Sequence, residues 1–310
     1  MNADLITIEE VSAEDLRKIF ALSTKFKRER GRQMESPLAG KSIGLLFANL
    51  STRTRISFEV GIMELGGHSL FLDYSKLQLG RGETIADTAR VLSRYLHAVV
   101  IRTNKHTDLM EYAQHSQIPV INALTSDFHP CQVLADLFTI YELSGKLPGI
   151  KVTFLGDGSS NMANSWILAA KLAGMELTIA APEEYRPNSQ LMSKEIGPGR
   201  VQWEKDPARA AKAADYLYTD VWVSMGCESD AVKRRQIFKP YQLNTSLLRL
   251  ATPGAKVMHC LPAHRGEEIT GEVIDGHQAI VFDQAENRLH VQKAILSLLL
   301  RDQAADRTGK

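Results

Sequence analysis

The sequence predicts an α/β protein of two doubly wound parallel-sheet domains, with a C-terminal helix packing back on the first domain. Two observations carry this prediction. Short apolar runs alternate with longer segments of helical period from end to end, and a breaker run, SGKLPGI (144–150), divides the series near its middle. The 310 residues are enough for two cores, at roughly 150 residues for an average domain.

In the first half, SIGLLFANL (42–50), HSLFLD (68–73), HAVVIRT (97–103) and IPVINAL (118–124) read as buried strands, each followed by a helix-like segment. HPCQVLADLFTIYEL then sets Leu134, Leu137 and Tyr141 at helical spacing ahead of the breaker run. The second half repeats the style with KVTFLGD (151–157), ELTIAAP (176–182), DYLYTDV (215–221), KVMHCLP (256–262) and AIVFDQ (279–284) as strands. In the last segment, NRLHVQKAILSLLL, Val291, Ile295 and Leu298 share one face, which is expected to return to the first domain. The domains are therefore set at 1–145 and 146–285, with the returning helix at 286–310. In open parallel sheets ligands bind beyond the carboxyl ends of the strands, so the residues just after each strand are the candidates for chemistry.

Composition narrows the function classes. With 37 basic and 36 acidic residues, the net charge of +1 gives no basic field for nucleic acid, and no basic amphipathic stretch suits a membrane surface. Any anion must be held by a local cluster. The N-terminal stretch carries acids early and lacks the apolar run of a secretory signal, so a cytoplasmic protein is expected. Cys131, Cys227 and Cys260 are odd in number and far apart, which reads as reduced thiols rather than disulfides or a zinc site.

Five segments concentrate chemistry-bearing residues. Ser51-Thr52-Arg53-Thr54-Arg55 follows an apolar strand and opens a helix, where unpaired N–H groups, hydroxyls and guanidinium groups suit a phosphate; the plainer alternative is a Ser cap followed by solvated arginines. In His129-Pro130-Cys131-Gln132, Pro130 fits the first helical turn and leaves His129 near the N-cap with Gln132 one turn on. Arg102 ends a strand, where its charge faces either a ligand or solvent. Gly156-Asp157-Gly158 is an incomplete dinucleotide-binding turn, because Asn161 stands where a Gly or Ala belongs. Asp220 ends a strand and leads into the small-residue loop Ser224-Met225-Gly226, and Cys260 follows another strand in His259-Cys260-Leu261-Pro262. His259 and His264 flank Cys260 with no third metal ligand evident from spacing.

Taken in order, STRTR, FHPCQ, DVWVSMG, HCLPAHRGEE and ENRLHVQKA resemble the ornithine carbamoyltransferase family across nearly the whole chain. The first two resemble the wider aspartate and ornithine carbamoyltransferase superfamily, and the SMG and HCLP segments its ornithine branch. This resemblance implies transfer of the carbamoyl group from carbamoyl phosphate to L-ornithine, giving L-citrulline and phosphate, with no cofactor and no metal. It further implies that Ser51, Thr52, Arg53 and Thr54 hold the phosphate, and that Arg102, His129 and Gln132, with Thr54 and the backbone around Cys260 and Leu261, hold the carbamoyl group. Arg288 would complete the anion site, and Gln78 would reach carbamoyl phosphate, often in a neighbouring subunit, so a homotrimer or a multiple of trimers with shared active sites is implied. Asn161, Asp220, Ser224 and Met225 would grip ornithine, with Arg102, His129, Asp220 and Cys260 as the catalytic set. Three alternatives remain to be separated: a putrescine carbamoyltransferase, a non-catalytic carbamoyl phosphate-binding protein, and a nicotinamide-dependent dehydrogenase built on the glycine turn.

Overall fold

The computed structural model describes residues 3–32, 35–49, 51–223 and 228–307. Two compact units result, one of residues 1–138 with 286–310, the other of residues 139–285.

The first unit contains α1 (Ala13–Arg28), β1 (Ser42–Phe47), α2 (Thr52–Glu64), β2 (His68–Asp73), α3 (Ile85–Leu92), β3 (Ala98–Arg102), α4 (His106–His115), β4 (Val120–Leu124) and the first turns of α5 (Pro130–Ser144). Its strands pair in parallel in the order β2-β1-β3-β4. β1 and β3 are almost wholly buried, as expected of parallel strands covered on both faces, and this explains why they read as unbroken apolar runs. Helix α1 starts at a capping box in which Ser12 accepts the Asp15 N–H and Asp15 accepts the Ser12 N–H. The core gathers Ile6, Leu46, Val99, Ile101, Leu109 and Val120 around the sheet.

The second unit contains β5 (Lys151–Leu155), α6 (Asn161–Leu172), β6 (Glu176–Ala180), α7 (Ser189–Ser193), β7 (Arg200–Glu204), α8 (Pro207–Ala211), β8 (Tyr216–Thr219), α9 (Ala231–Phe238), α10 (Thr245–Leu248), β9 (Lys256–His259), α11 (Gly271–Ile274) and the start of α12 (Val281–Arg307). The sheet is again parallel, in the order β7-β6-β5-β8-β9. Leu155, Leu217, Trp222, Phe238, Leu243 and Val257 form its core.

Beyond Glu286, α12 belongs to the first unit, as expected of the C-terminal segment. Lys293, with a fully buried side chain, bonds Glu64 at 2.6 Å, and Arg30 reaches the same carboxylate at 3.1 Å. Gly61 lets α2 come this close: a Cβ there would sit 3.1 Å from Lys293 Cγ.

Two strand expectations need correction. AIVFDQ (279–284) opens helix α12 and keeps only an isolated bridge, Ala279 to Val257. A short apolar run cannot by itself distinguish a buried strand from a buried helix, and here the run is continuous with the helical segment behind it. Conversely, RVQWE forms β7 at the sheet edge, where partial exposure leaves a polar sequence without an apolar signal. The two compact units divide at 138/139, inside α5, a few residues ahead of the breaker run. No helix among the described residues is long and apolar enough to cross a membrane.

Candidate active-site groups in the two units

In the first unit the strand order reverses between β1 and β3, and ligands bind at such switch points. The segment after β1 is Ser51–Arg55, the end of β3 is Arg102, and β4 leads through a turn to His129. Ser51 occupies the N-cap of α2 in extended conformation, yet its side chain makes no capping bond. The Ser51 side chain thus does not cap α2, whose first N–H groups lack intrahelical partners, as at any helix start. Arg53 Nε is enclosed and has no hydrogen-bond partner, a donor whose desolvation is uncompensated. Arg55 takes the solvated role instead, paired with Glu59 at 2.9 Å and stacked over Phe71.

A network runs deeper. Arg288 donates to Thr54 Oγ1 at 2.7 Å and to Gln132 Oε1 at 2.9 Å, and Gln132 passes the chain on by donating to Asp136 Oδ1 at 2.8 Å. Thr54, Gln132, Asp136 and Arg288 are all buried, so each orientation is fixed by its neighbour before any ligand arrives. Arg102 is also buried, at the irregularity where the β3–β4 register shifts. His129 lies just before α5, its carbonyl accepting the Gln132 N–H at 3.1 Å. Burial, reinforced by the Arg288 and Arg102 guanidiniums, holds its imidazole well below the usual histidine range, so it is neutral at pH 7 and donates without carrying charge. Cys131, between them in sequence, is a core thiol donating to the Asn122 carbonyl, its ionisation pushed up to about 12 by burial. Gln78 is exposed, outside this network.

In the second unit the switch point lies between β5 and β8. Registry then dictates the neighbours: Leu155 pairs with Thr219 and Thr219 with His259, so the residues that follow, Asp220 and Cys260, emerge side by side. The Cys260 thiol donates to Asp220 Oδ1 at 3.0 Å. Part of Asp220 remains exposed, yet its carboxyl is enclosed by protein; this burial pushes its ionisation up, against the lowering effect of the bonds from Cys260 and the Val221 N–H.

Of the groups behind this pair, sequence reasoning named His259 without giving it a partner and missed Glu268. His259 Nε2 meets Glu268 Oε1 at 3.1 Å, both side chains fully buried, and the Leu261 N–H donates to His259 Nδ1 at 2.8 Å. Leu261 has φ +56°, left-handed backbone that costs a non-glycine residue about 1–2 kcal/mol. Asp220, His259 and Cys260 each bring one ligand-type atom within 4.8 Å of the others, supplying the third metal-type residue that spacing did not reveal. Both ring nitrogens of His259 are already hydrogen-bonded, so a metal there would have to displace one of those bonds.

Asn161 opens α6 just after Ser160, whose hydroxyl caps the helix by accepting the Ala163 N–H. The glycine turn serves this placement. Gly156 has φ +129°, and a Cβ on Gly158 would meet the Tyr185 carbonyl at 2.7 Å. Asp157 is committed inward, accepting from the Ser159 N–H and hydroxyl and forming a buried ion pair with Arg234, which also bonds the Trp222 carbonyl. Ser224 and Met225 lie outside the described residues.

Fold and groups together define a two-unit α/β protein with a buried Arg288–Thr54–Gln132 network in one unit and an acid–thiol pair in the other. Known proteins narrow the class. The family model for the aspartate/ornithine carbamoyltransferase carbamoyl-P binding domain matches residues 3–142, and that for the Asp/Orn binding domain matches residues 148–299. The ornithine carbamoyltransferase of Methanospirillum hungatei is 50% identical over 302 residues, covering 97% of this chain and 100% of that protein. That of Archaeoglobus fulgidus is 50% identical over 299 residues, covering 96% and 97%. The solved ornithine carbamoyltransferase of Pyrococcus furiosus superposes with a TM-score of 0.91 at 45% identity, covering 96% of each chain. The chain belongs to the aspartate/ornithine carbamoyltransferase family.

Proposed function

We propose that this protein is an ornithine carbamoyltransferase, forming L-citrulline and phosphate from carbamoyl phosphate and L-ornithine. The observation that carries the reading is the preorganised Arg288–Thr54–Gln132 network beside the uncapped start of α2, a donor array suited to a phosphorylated carbonyl compound. Ser51, Thr52, Arg53 and Thr54 take the phosphate, and Arg102, His129 and Gln132, with Thr54 and the backbone of Cys260 and Leu261, take the carbamoyl group. Gln78 is assigned to carbamoyl phosphate held by a neighbouring copy, within a homotrimer or a multiple of trimers, and its exposure supports that assignment. Asn161, Asp220, Ser224 and Met225 hold ornithine. A cytoplasmic setting and a place in arginine metabolism accord with this chemistry.

The nucleophile must be the neutral δ-amine. Deprotonating an alkyl amine of pKa near 10.4 at pH 7 costs roughly 4–5 kcal/mol, at about 1.36 kcal/mol per unit. An Asp220 carboxyl raised by burial is a weaker counter-ion for the ammonium form, and a better proton acceptor, than a surface carboxylate. As the amine nitrogen bonds the carbamoyl carbon, charge builds on the carbonyl oxygen, where Arg102, neutral His129 and Thr54 donate; removing one such donor typically costs about 3–4 kcal/mol. The bond from carbon to the phosphate oxygen then breaks, its electron pair leaves with phosphate, and the amine proton passes to that phosphate or through Asp220 to solvent.

The test offers carbamoyl phosphate with L-ornithine, putrescine or L-aspartate in parallel and follows ureido product and phosphate release. Turnover favouring ornithine is expected. Preference for putrescine would overturn the roles of Asn161 and the SMG loop, and no turnover with any amine would return the binding-protein alternative.

A further inference from the structure

We infer that Glu268 and His259 are a positioning pair for the reaction, locking the Cys260–Leu261 peptide into the conformation that the carbamoyl group meets; this rests on the proposed function for what the peptide meets, not for how it is held. Hydrogen bonding fixes the state of the ring. Nδ1 accepts the Leu261 N–H, so it bears no proton, and the single ring proton must sit on Nε2, aimed at Glu268. A second proton on the ring would drive an N–H against the Leu261 N–H. Glu268 also accepts the His264 N–H at 2.6 Å through the same oxygen, so one buried carboxylate anchors both ends of the 259–264 turn. The bond to His259 and the backbone and ring partners of Glu268 hold that carboxyl below the usual range despite its burial, which keeps it an acceptor.

The consequence falls on Leu261. A left-handed φ in a residue with a branched side chain persists only where the surroundings over-determine it, and the Nδ1 bond is the contact that holds this N–H. With Leu261 fixed, the Cys260 backbone is fixed on the other side of the same turn, and its thiol reaches Asp220. His259 thus sets backbone geometry for the carbamoyl group and side-chain geometry for Asp220 without touching a substrate itself.

The test compares His259→Asn, whose Oδ1 can replace the Nδ1 acceptor, with His259→Gln, whose amide replaces Nε2 and leaves the Leu261 N–H without a partner. His259→Gln is expected to raise the KM for carbamoyl phosphate at least tenfold over His259→Asn. A merely structural role would lower the active fraction in both variants and move neither KM. Equal behaviour of the two variants would overturn the inference. Because a substitution at a buried site can impair folding, the wild-type enzyme labelled with 15N-histidine supplies an independent readout. One buried ring should show the Nε2–H tautomer with a bare Nδ1, and that signal should change in Glu268→Gln. A doubly protonated ring or the Nδ1–H tautomer would likewise overturn the pair. Wild-type protein that forms no citrulline would defeat the proposed function, whereas the spectrum would decide the state of the pair on its own.

Discussion

The two units build polar groups at equivalent places, the carboxyl ends of parallel strands at a switch point, and tune them in opposite directions. The first buries cations: Arg288 and Arg102 lie within the protein, and burial of His129, reinforced by their charge, keeps its imidazole neutral. The second buries an acid: Asp220 is raised by its enclosure and held by a thiol, and the neighbouring Glu268 is instead lowered by the partners around it. One fold thus prepares two electrostatic environments, and which arises depends on the few residues that follow each strand.

Removing a cation from the first group should have the largest effect. Arg288→Met deletes the donor to Thr54 and Gln132 and leaves both acceptors buried without it. A loss of about 10³-fold or more in kcat/KM for carbamoyl phosphate is expected, about 4 kcal/mol at 1.36 kcal/mol per decade. Steady-state kinetics checks this, and a smaller loss than Asp220→Asn causes would break the contrast. Arg234→Met strikes the second unit by leaving Asp157 buried without its ion-pair partner, with an expected stability loss of about 3–5 kcal/mol in denaturant unfolding. Asp220→Asn is expected to lower kcat about 10²-fold while the melting temperature at pH 7 stays level or rises. The sign follows from the raised carboxyl: the native state resists ionising it, so its charge is a destabilising load once pH exceeds the native pKa. A clear fall in melting temperature would show instead that the ionised carboxylate contributes to the fold.

Much of this was legible in the sequence because parallel strands, buried on both faces, must be written as apolar runs. Such runs marked β1 to β6, β8 and β9, and the residues just behind them marked Arg102, Asp220 and Cys260. Edge strand β7 carried no such signal, since its half-exposed residues read RVQWE. The run AIVFDQ misled for the opposite reason, apolar enough for a strand yet continuous with α12. Partners from distant segments were the least visible. Glu268 lies nine residues after His259 and Arg234 seventy-seven after Asp157, and only the fold brings each pair into contact. HCLPAHRGEE held both His259 and Glu268, so a buried acid near a buried histidine was the available clue.

The smallest expected effect separates the units by pH. His129, His106 and His290, all in the first unit, are pushed down, chiefly by burial. For such a group the unfolded chain takes up a proton first, near its ordinary value of about 6.5, while the native form stays neutral. Stability from neutral burial is therefore fully present above about pH 6.5 and is lost as pH falls toward the native value. The raised Asp220 carboxyl opposes this on acidification, because the native state then binds its proton more readily than the unfolded chain. One strongly depressed histidine contributes about 1.4 kcal/mol of loss between pH 7.5 and pH 5.5. His129→Asn should remove that share of the pH dependence of unfolding while Asp220→Asn steepens it. If both variants moved the slope the same way, the opposite tuning of the two groups would not hold.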